Sequence, residues 1–539
     1  MASTRKGSRN AAAPSRSLRR ILPHPALKAP AAVIRSPATD AVRDFIHRNW
    51  AATLRTHTED EGTLLGLPHP YTVPCRRAMF QELYYWDTYF TALGLVRSPG
   101  GLALAQDNLK NFIHEVERHG FVPNGNRTYY LNRSQPPYLA PLVNLLRRGA
   151  GVPPATPERR SPDRCDEAQR ASPFAGVCGE FFEPGDASRR RSGLETAAPF
   201  RGTSAALPVE QPRLLSALRT EHAFWTTRRA APAGTSAAGL SRYGHHASPD
   251  YVMQFFREIK DRAGLPGGDE TACREQAGHM LAECESGWDF TPRFDQRCEH
   301  FCPVDLNCNL YVLETTLAAL SATGDANLPA SSGKIDREPG ASAAAPDAAA
   351  RTEAATWRIR ADARRHLVHA LNWDADRGAF FDYDFAHARR SPVLSAATFQ
   401  PLWSGLATEE QAASVVARAL PPLERPHGLT ACAPAIRQSA FRNPHSCQWD
   451  HPNLWPCLQA IAWRGLQRYG YATEARRIAQ KYIDTVCRVF VDTGDLWEKY
   501  NADTGTHHAS GDAGYETPAM MGWTAGVFLD AVALLEEEA

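Results

Sequence analysis

The sequence predicts an all-α fold in which antiparallel helix pairs close into a toroid. Roughly a dozen segments of the 539 residues place apolar side chains at helical spacing. Almost no segment shows the alternation typical of half-buried strands, although roughly a fifth of an average chain is strand. Acids, arginines and aromatic residues crowd the loops where helices begin or end. An open solenoid is the alternative, but no repeated sequence unit supports it.

The predicted helices follow one another at short intervals. In the first, over 41–50, Val42, Phe45, Ile46 and Trp50 share one face. Glycines after several of the segments favour helix ends. The other predicted helices cover 84–96, 102–119, 138–148, 214–228, 251–263, 303–322, 357–371, 411–420, 454–469, 473–489 and 517–535.

Composition divides the chain into a tail and one domain. Residues 1–40 are predicted to form a disordered basic N-terminal tail, since residues 1–39 carry Arg and Lys but no Asp or Glu, a composition that is also typical of a transit peptide. No apolar core of a secretory signal follows, so we expect a cytoplasmic protein, or an organellar one if the tail is a transit peptide. Residues 41–539 are predicted to form a single catalytic domain with flexible, Pro-, Ser- and Gly-rich or Ala-rich insertions near 149–207 and 327–352.

Charge and cysteine content limit the partners. Sixty Lys and Arg balance 59 Asp and Glu, which favours neither nucleic acid nor an anionic membrane, and no apolar run is long enough to span a bilayer. The twelve cysteines lack the spacing of a disulfide framework, and Cys298, Cys302 and Cys308 lack the paired arms of a zinc site. A small neutral polar substrate is expected, with the oligomeric state left open.

The segment 285–293 is the first candidate site. It places Asp289 between Trp288 and Phe290, after Gly287 and before a proline. Sugar rings stack on aromatic faces, and an apolar wall raises the pKa of a carboxyl toward that of a general acid. We therefore expect Asp289 to be an acid catalyst. The alternative is a helix-to-loop turn whose acids cap backbone amides.

Four further segments combine aromatic and polar residues in the same way: 81–90, 121–137, 447–456 and 496–500. In 121–137, Asn, Arg and Gln side chains in a proline-bounded loop suit sugar hydroxyls. Glu498 stands beside Trp497, as Asp289 stands beside Trp288. The alternatives are aromatic core packing, helix caps and, for Glu498, a surface ion pair with Lys499. Two such carboxylates match the paired acids of glycosidic cleavage, with retention or inversion depending on their separation.

These segments resemble the trehalase family, glycoside hydrolase family 37. The resemblance rests on V-P-N-G-N-R-T-Y-Y-L-N-R-S-Q-P-P within 121–137, Y-Y-W-D-T-Y-F at 84–90, Q-W-D-H-P-N-L-W at 448–455, and E-K-Y at 498–500 with G-W-T-A-G-V at 522–527. It implies an (α/α)6 toroid and inverting hydrolysis of α,α-trehalose to glucose without a metal or other cofactor. It also implies that Asp289 is the acid and Glu498 the base. The implied sugar-binding residues are Phe80, Tyr84, Trp86, Asp87, Asn124, Arg133, Gln135, Trp449 and Glu516.

The sequence departs from the family pattern at three places. The family's P-G-G-R-F becomes P-C-R-R-A-M-F at 74–80, so the implied sugar-binding Arg is replaced by Met79 or displaced to Arg77. The glycine-rich run after the base is reduced to 511–514, and R-P-E-S becomes A-S-P-D at 247–250. These departures keep two other hypotheses open: an α-glucosidase or α-mannosidase acting on another small glycoside, and an inactive sugar-binding relative.

Overall fold

The structure is a computed structural model that describes residues 36–149, 207–323, 348–434, 447–508 and 517–536. Over these ranges it contains fifteen α-helices and eleven two-residue strands. The helices are α1 Pro37–Asn49, α2 Tyr85–Leu95, α3 Gly101–His119, α4 Leu139–Gly149, α5 Gln211–Thr227, α6 Pro249–Ala263, α7 Glu270–Ser286, α8 Val304–Thr323, α9 Ala348–Leu371, α10 Gln400–Ser404, α11 Glu409–Arg418, α12 Leu420–Leu423, α13 Pro456–Arg468, α14 Ala472–Thr493 and α15 Gly522–Glu536.

The strands form small antiparallel sheets in the loops. Their bounds are β1 Leu54–Arg55, β2 Tyr71–Thr72, β3 Phe301–Cys302, β4 Trp373–Asp374, β5 Ala379–Phe380, β6 Tyr383–Asp384, β7 Arg389–Arg390, β8 Glu424–Arg425, β9 Gly428–Leu429, β10 Asn453–Leu454 and β11 Tyr500–Asn501. One three-stranded sheet has the order β3-β6-β7, and the other strands pair as β1-β2, β4-β5, β8-β9 and β10-β11.

Every predicted helix overlaps an observed one, but α7 and the short α10 were not predicted, and α12 overlaps a predicted helix only at Leu420. The residues of α7 from Ala277 to Ser286 are buried, Cys284 excepted, and they include His279, Glu283 and Glu285. Polar side chains therefore lie on buried faces beside the apolar Cys273, Ala277 and Leu281, so the sequence does not separate an apolar face from a polar one.

Other predicted boundaries shift by several residues. The last helix begins at Gly522 rather than at 517, and α9 begins at Ala348, inside the predicted insertion 327–352. Residues 327–347 of that insertion lie outside the described residues. So do residues 1–35 of the tail and residues 150–206 of the first insertion.

Six helices form the inner ring of an (α/α)6 toroid. Going round the ring, α2 packs on α4, α4 on α8, α8 on α10, α10 on α13, α13 on α15, and α15 on α2 again. All residues of α2 are buried, as expected for a helix enclosed by neighbours. Outer helices pack behind the ring, including α3 on α2, α9 on α8 and α14 on α13. The closed ring confirms the predicted toroid and rules out the open solenoid.

The ring closes where α2 meets α15 at two glycines. A Cβ on Gly94 would lie 2.7 Å from the Cα of Gly526, and a Cβ on Gly526 would lie 2.0 Å from the carbonyl oxygen of Phe90. Any side chain at either position would push the helices apart. This contact holds α2, which carries the first aromatic motif, against α15, which follows the Glu498 loop.

Helices α6 and α7 form a further packed pair. Val252 and Phe256 of α6 share a small buried cluster with Ala277 and Leu281 of α7. The pair matters for the site because the loop after α7 carries Asp289. Among the described residues, no helix is both long and apolar enough to cross a membrane.

Candidate active site

Helix α7 delivers Asp289 through a sharp turn. The helix ends at Gly287, which adopts a left-handed conformation with φ of +71° and accepts the close approach of the Trp86 ring. Phe290 also has a positive φ, +60°. Trp288 is buried, whereas Asp289 between these two rings keeps partial exposure. The turn therefore presents the carboxyl at the edge of an apolar wall.

Two side chains hold the Asp289 turn in place. Gln448 Nε2 donates a 2.8 Å hydrogen bond to Asp289 Oδ2. Behind the turn, Glu283 Oε2 accepts from the backbone N–H groups of Phe290, at 3.1 Å, and Thr291, at 3.4 Å. Burial, with a smaller contribution from the neighbouring Asp289, raises the pKa of Glu283 to about 8.

Glu498 lies in the loop between α14 and α15 and is buried. Its backbone N–H donates to the carbonyl of Pro518 at 3.1 Å, and its carbonyl accepts from Trp523 Nε1 at 2.9 Å. Lys499 Nζ lies 2.9 Å from Glu498 Oε2, so the expected ion pair forms, but Lys499 is fully buried. The surface ion pair considered for Glu498 is thus wrong, because the whole pair lies inside the protein.

Three carboxyls share the site. Burial raises the pKa of Asp289, which Arg262 opposes, and the charge of Glu498 raises it further. Burial also raises the pKa of Asp87 to about 8, with added contributions from Glu498 and Asp289. The charge of Glu498 acts on both aspartates, so the three carboxyls lie in one region of the fold although they come from three distant parts of the chain. A cluster of this kind is typical of an acid–base site.

Buried indoles line the site. The Trp86 and Trp449 ring centroids are 5.6 Å apart, and those of Trp288 and Trp449 are 5.0 Å apart. Trp455 stacks on Trp449 at 3.8 Å with an interplanar angle of 3°. Trp86 also meets Trp523 edge to face. Trp449 is thus held from two sides, and the predicted Trp86 and Trp449 lie in one wall with Trp288.

The loop 121–137 supplies the polar side. Its backbone joins α2, since Asn124 accepts from the N–H of Tyr85 at 3.2 Å and donates to the carbonyl of Arg133 at 3.1 Å. Gln135 Oε1 accepts from the N–H of Trp86 at 3.2 Å. The Arg133 guanidinium lies over the Tyr130 ring at 5.1 Å and acts electrostatically on Asp289. Asn124, Arg133 and Gln135 are all buried.

Phe80 and Tyr84 extend this side. Their rings meet edge to face at 5.7 Å, and the Tyr84 hydroxyl bonds to Glu82 and Tyr130 at 3.0 Å each. Tyr84 is buried and Phe80 half-buried. The remaining predicted sugar-binding residue, Glu516, lies outside the described residues, as does the segment 511–514.

Glu285 and Arg293, which flank the turn, hold the fold. Glu285 is fully buried and accepts two hydrogen bonds from Arg229, at 2.6 and 2.7 Å, and others from the backbone N–H groups of Ser134 and Gly244. Arg293 is also fully buried and pairs with Asp305 and Asp382, each at 2.8 Å. The first network joins the end of α7 to the loop 121–137, so it positions both walls of the site.

The departures from the family pattern can now be located. Met79 and Arg77 are exposed, so neither extends the buried wall. Ser248 caps α6, and Asp250 is exposed. At the opposite end of α6, Arg262 acts electrostatically on Asp289. Its guanidinium lies 4.2 Å from the centroid of the Phe290 ring.

Several residues of the site were absent from the predicted set, and three of them, Gln448, Glu283 and Arg262, act on Asp289 or its turn. Gln448 adjoins Trp449 in a segment that was singled out, so its position carried a signal. Glu283 belongs to the helix that was not predicted. Arg262 lies in a basic stretch at the end of an amphipathic helix, where nothing in the sequence separates it from surface charges.

Comparison with known proteins decides the family. The family model described as Trehalase matches residues 5–155 and 206–536. The chain belongs to the trehalase family. It is 32% identical to the periplasmic trehalase of Xanthomonas oryzae pv. oryzae over 501 residues, which cover 91% of this chain and 72% of that one. It is also 32% identical to the cytosolic neutral trehalase of Saccharomyces cerevisiae, over 83% of this chain and 53% of that one.

A solved trehalase has the same fold. The structure of the neutral trehalase from Saccharomyces cerevisiae matches with a TM-score of 0.58 and 27% identity, covering 87% of this chain and 74% of that one. This trehalase-family chain is therefore an (α/α)6 glycosidase, and the resemblance drawn from its motifs is confirmed.

Proposed function

We propose that this protein hydrolyses α,α-trehalose to two molecules of glucose with inversion at one anomeric carbon. The observation that carries the proposal is that the charge of Glu498 acts on Asp289 within one aromatic site, in a chain of the trehalase family. Paired carboxyls of this kind perform inverting hydrolysis when a water molecule fits between one of them and the sugar.

Asp289 is the general acid. Burial raises its pKa, which favours the protonated form that can donate to the glycosidic oxygen as the bond to the anomeric carbon breaks. Gln448 orients the carboxyl through Oδ2. Phe290 and Trp288 on either side restrict its position, so the proton is delivered in one direction.

Glu498 is the general base. It removes a proton from the water that attacks the anomeric carbon from the face opposite Asp289, which inverts the configuration. Lys499 fixes the carboxylate through Oε2 at 2.9 Å, and the hydrogen bonds of the Glu498 backbone to Pro518 and Trp523 prevent the loop from shifting. No metal or cofactor is needed for these steps.

The aromatic and polar walls bind the glucose units. Trp86 and Trp449 offer apolar surface to the pyranose ring, and Arg133, Gln135 and Asn124 offer donors and acceptors to its hydroxyls. Asp87 belongs to the same set, because its pKa of about 8, caused mainly by burial, keeps a proton available for a hydroxyl oxygen. Phe80 and Tyr84 bound this side, and Glu516 is assigned to sugar binding by its motif position.

The test is glucose release from trehalose by the purified protein and by two carboxamide variants. Asp289→Asn and Glu498→Gln should each lower kcat by several orders of magnitude with an unchanged circular dichroism spectrum, because each removes one proton-transfer step. Turnover of an α-glucoside or α-mannoside with no turnover of trehalose would overturn the assignment of trehalose as the substrate. Sugar binding without any turnover would overturn the assignment as an enzyme.

We also propose a cytoplasmic location. Nine of the described cysteines are free thiols, as is usual in a reducing compartment: Cys75, Cys273, Cys284, Cys298, Cys302, Cys308, Cys432, Cys457 and Cys487. The two relatives named above differ on this point, one being periplasmic and the other cytosolic. Cell fractionation with immunodetection tests the proposal, and recovery of the protein in a periplasmic or organellar fraction would overturn it.

A further inference from the structure

We propose that Glu275, His279 and His300 form a binding site for a divalent transition-metal ion of the Zn²⁺ class, separate from the sugar site. Each residue offers one ligand atom, and these atoms all lie within 4.8 Å of one another. The proposal does not depend on the proposed function, because none of the three residues belongs to the catalytic or sugar-binding set.

Local structure brings the three side chains together. Glu275 and His279 are four residues apart on α7, so they project from the same face of the helix. His300 ends the 3₁₀ turn Cys298–His300. The two imidazole rings meet edge to face with centroids 4.7 Å apart, and Glu275 Oε1 lies 4.0 Å from His279 Nε2.

The two histidines have unmet hydrogen-bonding capacity. The Nδ1 atoms of His279 and of His300 are both buried and have no hydrogen-bond partner among the described residues. His279 is only 5% exposed. Burying an imidazole nitrogen without a hydrogen-bond partner is costly. Buried polar atoms in native proteins are rarely left without such a partner. A ligand at this cluster would remove part of that cost.

Glu299 supplies the outer support that metal-binding histidines commonly have. Its Oε2 lies 3.8 Å from His279 Nδ1, and its Oε1 lies 3.1 Å from Arg242 Nη1. If His279 binds the ion through Nε2, its Nδ1 remains 3.8 Å from the Glu299 carboxylate, and a small movement of Glu299 would bring the two into hydrogen-bond distance. A carboxylate–histidine–metal arrangement fixes the tautomer and the ring orientation of the ligand.

The donor set selects the class of ion. Two imidazoles and one carboxylate suit Zn²⁺, Co²⁺ or Ni²⁺, whereas Mg²⁺ and Ca²⁺ prefer oxygen ligands alone. With metal–nitrogen bonds of about 2.0–2.1 Å, tetrahedral ligand atoms lie roughly 3.3 Å apart. The cluster must therefore contract slightly, which Glu275 allows because its side chain is 65% exposed.

The position gives the ion a mechanical role. His279 lies on the helix that ends at Gly287, and His300 lies after the turn that follows it, so the two histidines bracket the segment carrying Asp289. An ion bound to both would tie the two ends of this segment together. Binding to the native state alone should raise thermal stability.

The experiment titrates Zn²⁺ into the full chain, freed of metal and kept reduced, by isothermal calorimetry. We expect one saturable site that is lost in His279→Gln and in His300→Gln, and that is weakened in Glu275→Gln. Glu275→Gln alters an exposed side chain, so it tests the site even where a histidine variant folds poorly. Glu299→Gln should weaken binding by about 10–100-fold.

Three controls separate this site from others. His366→Gln removes an exposed histidine outside the cluster, and Asp289→Asn alters the catalytic acid; both should bind Zn²⁺ as the unmodified protein does. Bound Co²⁺ should show ligand-field bands without a thiolate charge-transfer band. Zn²⁺ should raise the Tm of the unmodified protein and not that of His279→Gln. Absence of a saturable site, its persistence in both histidine variants, or a thiolate band would overturn the proposal.

Discussion

Gln448 Nε2 donates a 2.8 Å hydrogen bond to Oδ2 of Asp289, the carboxyl assigned as the general acid. The same nitrogen lies 3.3 Å from the Asp289 carbonyl oxygen, so one amide holds both the side chain and the backbone of the turn. A donor to a carboxylate stabilises its charged form and lowers its pKa. Gln448 therefore favours the charged form of Asp289, whereas burial disfavours it.

Gln448→Leu should move the alkaline limb of the pH profile of kcat/KM upward. A hydrogen bond to a charged group contributes about 1.5–3 kcal/mol, and 1.4 kcal/mol corresponds to roughly one pKa unit, so a shift of about one pH unit is expected. The exposed Gln254, which donates to the side chain of Glu258, gives the matched control Gln254→Leu. An alkaline limb that stays in place in Gln448→Leu would refute this role.

Gly287→Ala should damage both stability and activity. A Cβ there would lie 2.8 Å from Cε2 of Trp86, and the residue has a φ of +71°. Gly494, at the end of α14, has a φ of +73° and no atom within 4 Å of an added Cβ. Gly494→Ala should cost only the left-handed conformation, about 1–2 kcal/mol. Gly287→Ala should lower the free energy of unfolding by more than this, and it should also lower kcat. Equal losses of unfolding free energy in the two variants, measured with urea, would contradict the role of the contact with Trp86.

Glu283 should make stability depend on pH. Burial raises its folded-state pKa from 4.5 to about 8, so between these values the folded protein keeps a proton that the unfolded chain releases. The free energy of unfolding therefore falls as pH rises through this range, and the contribution is lost above the folded pKa. Glu283→Gln, which keeps an acceptor for the N–H of Phe290, should exceed the unmodified protein by about 1 kcal/mol or more at pH 8. Urea unfolding at several values from pH 5 to pH 8 measures this. A constant difference in the free energy of unfolding between Glu283→Gln and the unmodified protein over that range would contradict the prediction.

Glu285→Ala should be strongly destabilising. The substitution leaves Arg229 buried without its carboxylate, and breaking a buried pair in this way costs about 3–5 kcal/mol. The pair Arg213–Glu117 is 48% and 43% exposed, so Glu117→Ala should cost no more than about 1 kcal/mol. Chemical denaturation of both variants measures the difference, and similar losses would show that the Glu285 network does not support the fold.

The sequence predicted the parts of the fold that rest on periodicity. Helices such as α3 have one apolar face and were placed to within a residue or two. Helix α7 was not placed because it buries polar side chains such as Glu285, whose partner Arg229 is distant in the chain. Its loop was nevertheless singled out, because Asp289 between two aromatic rings is a local pattern.

The candidate site shows the same division. Asp289, Glu498 and the two tryptophans of the wall stand in motifs that a reader can see in the sequence. Arg262 and Glu283 have no such motif, because their effect on Asp289 depends on how α6 and α7 pack. Their roles follow from tertiary contacts that no local segment contains.

The most direct test of the account is the anomeric form of the glucose first released from α,α-trehalose, followed by proton NMR before mutarotation. Inversion at one anomeric carbon by Asp289 and Glu498 produces one β-glucose from the attacked unit and leaves the other unit as α-glucose. We therefore expect equal initial amounts of the two anomers. Release of α-glucose alone would mean retention, and would contradict the assignment of Glu498 as the base that activates water.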